Sequence, residues 1–357
     1  MRGPFRPGLG ATPPYLAGRE REQEVLRELL VDLGNGMAPG TQVVLLGPRG
    51  NGKTVLLGWL EGEVTALEDR VECLRLLPAE IPDETRLSEL LAPPPWWRQI
   101  ASGAIAGAGF SWKPRRGPAR PSSEVLRARA RRNPLLLLVD EAHTLELAVG
   151  RALLNAGQQV GADLPCLLVL AGTPDLEDRL SGMGASFWGR ADHVRIGRLS
   201  EDATQAGFRR PFAQEGTEVS ANALALMVRE SQCYPYFVQY LGREVWREGR
   251  GRVRLRTVEA ALPRFRRMRD RFYRRRAEEL DKLGLLEAGI AVAAAFRGRD
   301  GLTRGELRAA IGETRPESMQ AALRTLQHLG LIWQMETALR WEPGIPSLMN
   351  YLRAVDL

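Results

Sequence analysis

Gly47-Pro48-Arg49-Gly50-Asn51-Gly52-Lys53-Thr54 decides the reading of this chain. It fits the spacing G-x-x-x-x-G-K-[ST], with the apolar run Gln42-Val43-Val44-Leu45-Leu46 before it and helical periodicity over residues 55–67 after it. A short apolar run ending at glycine reads as a strand buried on both faces. Glycines between strand and helix let backbone N–H groups turn inward around phosphate oxygens, and the helix N-terminus adds positive potential. Gly47, Pro48, Arg49, Gly50, Asn51 and Gly52 are therefore expected to form the cradle. Lys53 is expected to reach the β- and γ-phosphates, and the Thr54 hydroxyl to ligate Mg²⁺. The implied ligands are ATP and Mg²⁺. Lysine is scarce here: Lys53, Lys113 and Lys282 are three among 50 basic residues.

Downstream, Leu135-Leu-Leu-Leu-Val-Asp140-Glu141-Ala142-His143 reads as a buried strand that delivers carboxylates at its C-terminal end, where ligands sit in open parallel sheets. Asp140 is placed to hold Mg²⁺ through water, and Glu141 to polarise the attacking water as general base. Asp-Glu-Ala-His also occurs in helicases, but a two-lobed helicase core needs a second such domain, and the C-terminal half shows none. A further strand ends at Leu170-Ala171-Gly172-Thr173-Pro174. Thr173 either hydrogen-bonds the phosphate or the water, or simply caps the helix that follows. Arg179 and Arg190 come next. Arg190 is the better candidate for an arginine delivered in trans to a neighbour's site, with a solvated surface arginine as its rival.

Four apolar runs, at residues 42–46, 71–76, Leu135–Val139 and 167–171, alternate with helical segments, which argues for an α/β domain with a parallel sheet. The first fifteen residues, rich in Pro and Gly, are expected to be extended. Residues 86–132 carry Pro93-Pro-Pro-Trp96-Trp97, a small-residue stretch and a cluster from Lys113 to Arg132; they read as a surface insertion or as a docking loop. Ser200 is expected to cap a helical region reaching Glu248. From Leu302 onward, helix, turn, helix and two strand-like pieces follow in the order of a winged helix.

Composition narrows the class. Of 357 residues, 44% are hydrophobic and 26% charged, as in globular proteins, and no apolar run reaches the roughly 20 residues of a membrane span. Three well-separated cysteines and three histidines disfavour a disulfide framework and a His-rich metal site. The expectation is a soluble cytoplasmic protein with no membrane partner. The net charge of +7 is local: residues 251–276 carry +9, residues 277–357 carry −2, and residues 1–250 sum to zero.

With the opening segment Pro4-Phe5-x-Pro7-Gly8-x-Gly10, Leu16-Ala17-Gly18-Arg19-Glu20, the two phosphate-site motifs, Ala171-Gly172-Thr173-Pro174, Cys233-Tyr-Pro-Tyr-Phe-Val-Gln239 and Gly344-Ile-Pro-Ser-Leu348, the chain resembles AAA+ ATPases of the origin-recognition and archaeal-ATPase type, bacterial relatives included. The resemblance covers nearly the whole chain. It implies an α/β P-loop core of five parallel strands over residues 16–198, a helical lid at 199–262, a linking helix at 263–276 and a winged-helix domain at 277–357. It also implies that Leu16, Gly18 and Arg19 lie near the adenine. Many such lids place a sensor arginine near the Tyr-Pro position; Tyr234-Pro-Tyr236 carries none, and Arg243 is the nearest substitute.

The basic segment holds eight arginines in residues 264–276, with Phe265, Met268 and Phe272 on one helical face. It reads as an interdomain helix with a solvated arginine face, or as a phosphate-contacting helix with Arg266, Arg267, Arg274 and Arg275 on double-stranded DNA. In the presumed winged helix, Gln320 and Arg324 point outward and can read base edges. The expected function is slow ATP hydrolysis coupled to DNA engagement, with a neighbouring copy or a protein partner as the candidate to complete the site. The alternatives are an ATP-dependent switch whose C-terminal module docks a protein, and a nucleotide-binding scaffold without turnover.

Overall fold

The computed structural model describes residues 3–8, 10–67, 70–92, 120–184, 189–312, 316–334 and 340–355. Five strands form one parallel sheet: β1 (Val43–Leu46), β2 (Glu72–Leu76), β3 (Leu135–Val139), β4 (Cys166–Gly172) and β5 (Asp192–Arg195), in the order β2-β3-β4-β1-β5. β1, β3 and β4 are buried along their whole length, which is why they read as unbroken apolar runs. Side chains alternate between faces. Val44, Leu46, Leu137 and Leu170 pack on one side, beneath α3 (Glu84–Leu91), α4 (Ser122–Ala130), α5 (Leu147–Gly161) and α6 (Leu176–Gly182). Val43, Leu45, Leu138 and Val169 pack on the other, against α1 (Glu20–Gly34) and α2 (Lys53–Thr65). The register pairs Leu46 with Gly172 and Val139 with Leu170, so the phosphate loop, Asp140 and Thr173 leave adjacent strands at one end of the sheet.

A second core joins the remaining helices. The region expected as one helical stretch divides into α7 (Glu201–Gln214), α8 (Ala221–Ser231) and α9 (Pro235–Glu248), with β6 (Glu218–Val219) paired to β7 (Arg252–Val253). Ser200 caps α7 by accepting from Ala203 N. The opening segment threads into this layer: Phe5 is buried and lies 4.9 Å, centroid to centroid, from Phe212. The basic segment 263–276 lies inside one longer helix. α10 runs Leu255–Lys282 with Pro263 inside it, and Phe265 and Tyr273 are buried along its apolar face. It leads to α11 (Leu286–Ala295), β8 (Leu302–Thr303), α12 (Arg304–Ile311), α13 (Pro316–His328), β9 (Ile332–Gln334), β10 (Arg340–Pro343) and α14 (Pro346–Arg353). The three strands form an antiparallel sheet of order β8-β10-β9.

Of the segment 86–132, the Pro/Trp stretch and Lys113, Arg115 and Arg116 lie outside the described residues. Arg129 of its basic cluster is buried, donating to the carbonyls of Leu90, Leu91 and Ala92 and to Glu72 Oε1 at 2.7 Å. It pins the end of α3 rather than facing a partner.

Candidate active site

The phosphate loop is held from three sides. Gly50 and Gly52 have φ of +85° and +97°, conformations that glycine adopts without Cβ strain, and α2 starts at the next residue. Lys53 is 4% exposed, and its Nζ donates to Gly47 O at 2.7 Å and Pro48 O at 3.1 Å. Burial pushes its pKa down to about 8, against the opposing pull of Glu141 and Asp140. Buried Asn51 donates to Ile196 O, and Arg19 Nη2 donates to Asn51 O at 3.2 Å and Gly197 O at 2.6 Å. From the helical layer, the Tyr234 hydroxyl donates to Arg49 O at 2.5 Å. A Cβ on Gly50 would lie 2.0 Å from that hydroxyl, so loop and Tyr234 interlock.

An acidic wall faces the loop. Asp140 Oδ1 accepts from Thr54 Oγ1 at 3.2 Å and from Glu141 N at 3.0 Å, while Oδ2 accepts from Arg75 Nη2 at 2.8 Å. A threonine hydroxyl against a carboxylate is the hard-oxygen set that suits Mg²⁺. Glu141 adopts a left-handed φ of +51°, a conformation that costs a non-glycine residue about 1 kcal/mol or more, and its side chain lines the cleft.

Behind the acidic wall lies a cluster of polar groups. Thr173 is fully buried; its hydroxyl donates to Asp175 Oδ1 at 2.5 Å and lies 3.3 Å from His328 Nδ1, and its N–H donates to His143 Nδ1 at 3.4 Å. His328 Nδ1 is 3.1 Å from Asp175 Oδ1. Burial lowers the His143 pKa, consistent with a neutral ring accepting at Nδ1. Burial alone would raise the Asp175 pKa, but hydrogen bonds from His328 and Thr173, with the fields of both imidazoles, hold it down at about 2.

The cleft between core and helical layer has a volume of about 400 Å³, within the range of small-molecule sites. Leu16 and Arg19 line it, with Tyr15, Pro235, Tyr236 and Gln239. Gly18 does not; a Cβ there would lie 2.4 Å from Ala203 Cβ of α7. Arg243 pairs with Glu244 at 3.0 Å and lies over the Tyr240 ring, outside the cleft. Arg179 donates to Leu145 O. Arg190 is exposed beside Gln42 and Gln158, at the edge where the strands begin. That is the opposite end of the sheet from its own phosphate loop, so only a second chain could use it there.

The expected DNA contacts separate into two groups. Arg266 is exposed but ion-paired with Glu230 at 2.7 Å, and Arg269 pairs with the same carboxylate. Arg267, Arg271, Arg274 and Arg275 are exposed and recur at helical spacing with no acidic group at ion-pair distance among the described residues. Gln320 is exposed, whereas Arg324, expected to point outward, lies 3.5 Å from Asp178 of α6. His328 docks at Asp175, Trp333 is buried against the core, and Gln334 O accepts from Arg195. This side of α13 faces the chain's own core, because the acidic Asp175 and Asp178 of one helical turn lie opposite it. Sequence reasoning gave no role to Arg75, His143 or Asp175, and it expected His328 to point outward, whereas His328 docks at Asp175. Only the second half of the Asp-Glu-Ala-His string and the rarity of histidine signalled them.

Among solved structures, the chain is similar to a Walker-type ATPase of Pyrococcus abyssi, with 19% identity, TM-score 0.66, and 95% of this chain and 96% of that one covered. It is also similar to the ORC2 protein of Aeropyrum pernix in its ADPNP–ADP complexes, with 14% identity, TM-score 0.59 and 98% of each chain covered. The RuvB Holliday junction branch migration motor of Thermotoga maritima follows, with 15% identity, TM-score 0.50, and coverage of 96% of each chain. No family model and no curated protein matches the sequence. At these identities the likeness is one of fold, and the fold is that of the AAA+ P-loop ATPases of the origin-recognition and archaeal-ATPase type.

Proposed function

We propose that the chain binds ATP with Mg²⁺ in the cleft between core and helical lid, hydrolyses the ATP, and passes nucleotide state to DNA through α10 and a C-terminal winged helix. The observation that carries this reading is the meeting of Lys53, Thr54, Asp140 and Glu141 at one end of the sheet, with Thr54 Oγ1 and Asp140 Oδ1 3.2 Å apart. The loop amides and Lys53 would bind the phosphates, and Tyr15, Leu16 and Tyr236 would enclose the base. Thr54 and Asp140 would hold Mg²⁺, which supplies charge neutralisation on the phosphates. Glu141 would take a proton from the attacking water, with His143 Nε2, 3.5 Å from its carboxylate, orienting it. Arg190 of a second copy would approach from outside. Lys53→Ala should abolish the rise in melting temperature that ATP–Mg²⁺ produces, about 2.7 kcal/mol at a hundredfold excess over Kd; an unchanged shift would remove the phosphate-site assignment.

The second reading, in which the C-terminal unit docks a protein, is favoured by one observation: its α13 face already makes a protein contact, with Asp175 and Asp178 of the core. The exposed Arg267–Arg271–Arg274–Arg275 stripe favours DNA, through phosphates rather than bases.

A further inference from the structure

Three histidines occur in the whole chain, and two of them, His143 and His328, come from opposite halves of it to meet at one carboxylate, Asp175. We propose that His143, Asp175 and His328 form a site for a zinc-class divalent transition metal that clamps the C-terminal unit onto the ATPase core. The donor atoms of the three residues all lie within 4.8 Å of one another. Tetrahedral zinc, with bonds of about 2.0–2.2 Å, separates its ligands by about 3.4 Å. Asp175 and His328 already stand 3.1 Å apart, so closure needs only the wider separations, none above 4.8 Å, to contract toward that spacing. Two imidazoles and a carboxylate suit zinc, nickel or cobalt, whereas Mg²⁺ prefers an all-oxygen octahedron; the site is chemically distinct from Thr54 and Asp140.

Two further features fit a metal. The His143 side chain is 3% exposed, and its Nε2 makes no hydrogen bond among the described residues, with Glu141 Oε2 3.5 Å away, so this buried nitrogen is held only by a loose electrostatic contact. Around the ligands, Thr173 Oγ1 donates to the Asp175 carboxylate, and Arg324–Asp178 holds α13 in reach one turn away. These are the outer contacts that orient metal ligands. Three protein ligands leave a fourth position for water.

The test uses the full chain, stripped with chelator and kept in excess Mg²⁺, with Co²⁺ as spectroscopic probe and Zn²⁺ as competitor. One Co²⁺ per chain should bind with the visible absorption of a low-coordinate site, be displaced by Zn²⁺, and raise the melting temperature. His328→Ala and Asp175→Asn should each weaken binding by more than about tenfold. Lys53→Ala should keep the metal while losing the nucleotide shift, so failure of the metal site and failure of the ATP assignment are separately visible. Absence of Co²⁺ binding in the unsubstituted chain, or undiminished binding in either ligand variant, would overturn the proposal.

Discussion

In the nucleotide cleft, Lys53, Thr54, Asp140 and Glu141 are brought together by short motifs at the ends of neighbouring strands. Each polar atom meets a partner whose position the backbone dictates: Lys53 the loop carbonyls, Thr54 the Asp140 carboxylate. Along α10 the charge is denser, yet its use is divided. Arg264, Arg266 and Arg269 turn to Glu244 of α9 and Glu230 of α8, while Arg267, Arg271, Arg274 and Arg275 face solvent. Motif spacing specifies geometry, because strand and helix periods carry it; charge density specifies only a potential, and neighbours not adjacent in sequence decide which residues supply it.

The contrast can be broken most severely at Glu141. Glu141→Gln preserves shape and removes the base, and turnover should fall by about a hundred- to ten-thousand-fold with ATP binding retained. Equal phosphate release from both proteins would reduce the cleft to a binding site. The next largest effect concerns α10. If four phosphates are engaged, alanine at Arg267, Arg271, Arg274 and Arg275 should flatten the salt dependence of duplex DNA binding by about 3.6 log units per log unit of salt. Arg266→Ala, already neutralised by Glu230, should leave the slope nearly unchanged. A slope that drops equally in both variants would erase the division along α10; no binding at low salt would promote the protein-docking reading.

A smaller effect follows from the burial of Lys53. With a pKa near 8, the free loop holds its ammonium at pH 7 and loses it as pH rises. Phosphate binding then requires proton uptake, so Kd for an ATP analogue should be flat below pH 8 and rise by up to about tenfold per unit above it. Titration by fluorescence from pH 7 to 9.5 measures this; a flat profile would mean that the lysine is not the phosphate contact. The smallest is Tyr234→Phe, which deletes the hydrogen bond to Arg49 O and should cost about 1 kcal/mol in denaturant unfolding.

Legibility followed the same division. β1, β3 and β4 could be read because both faces are buried and the runs are continuous. β5, Asp192-His-Val-Arg195, could not, being a four-residue edge strand with polar side chains that borrows its place from β1. Gly50 announced itself by motif, but not its second reason for being glycine, the Tyr234 hydroxyl. The fate of Arg324 was hidden because Asp178 is distant in sequence and carries no pattern of its own. Arg129, read only as one of a basic cluster, was hidden for the same reason: its partners are the carbonyls of Leu90, Leu91 and Ala92, which no side-chain alphabet records, and the carboxylate of Glu72, 57 positions away.

The docking of His328 onto Thr173 and Asp175 also has a bearing on how the molecule is made. The contact joins residues 155 and 153 positions apart, and α13 is synthesised after every strand of the parallel sheet. Domains generally fold in order of emergence during synthesis, so the sheet and phosphate loop can assemble while the Thr173 side of the site still faces solvent. A nascent chain halted before His328 would carry a complete phosphate loop and an unguarded acidic patch at Asp175 and Asp178. Maturation of the site is thus a long-range event, set by the arrival of α13 rather than by formation of the sheet and phosphate loop.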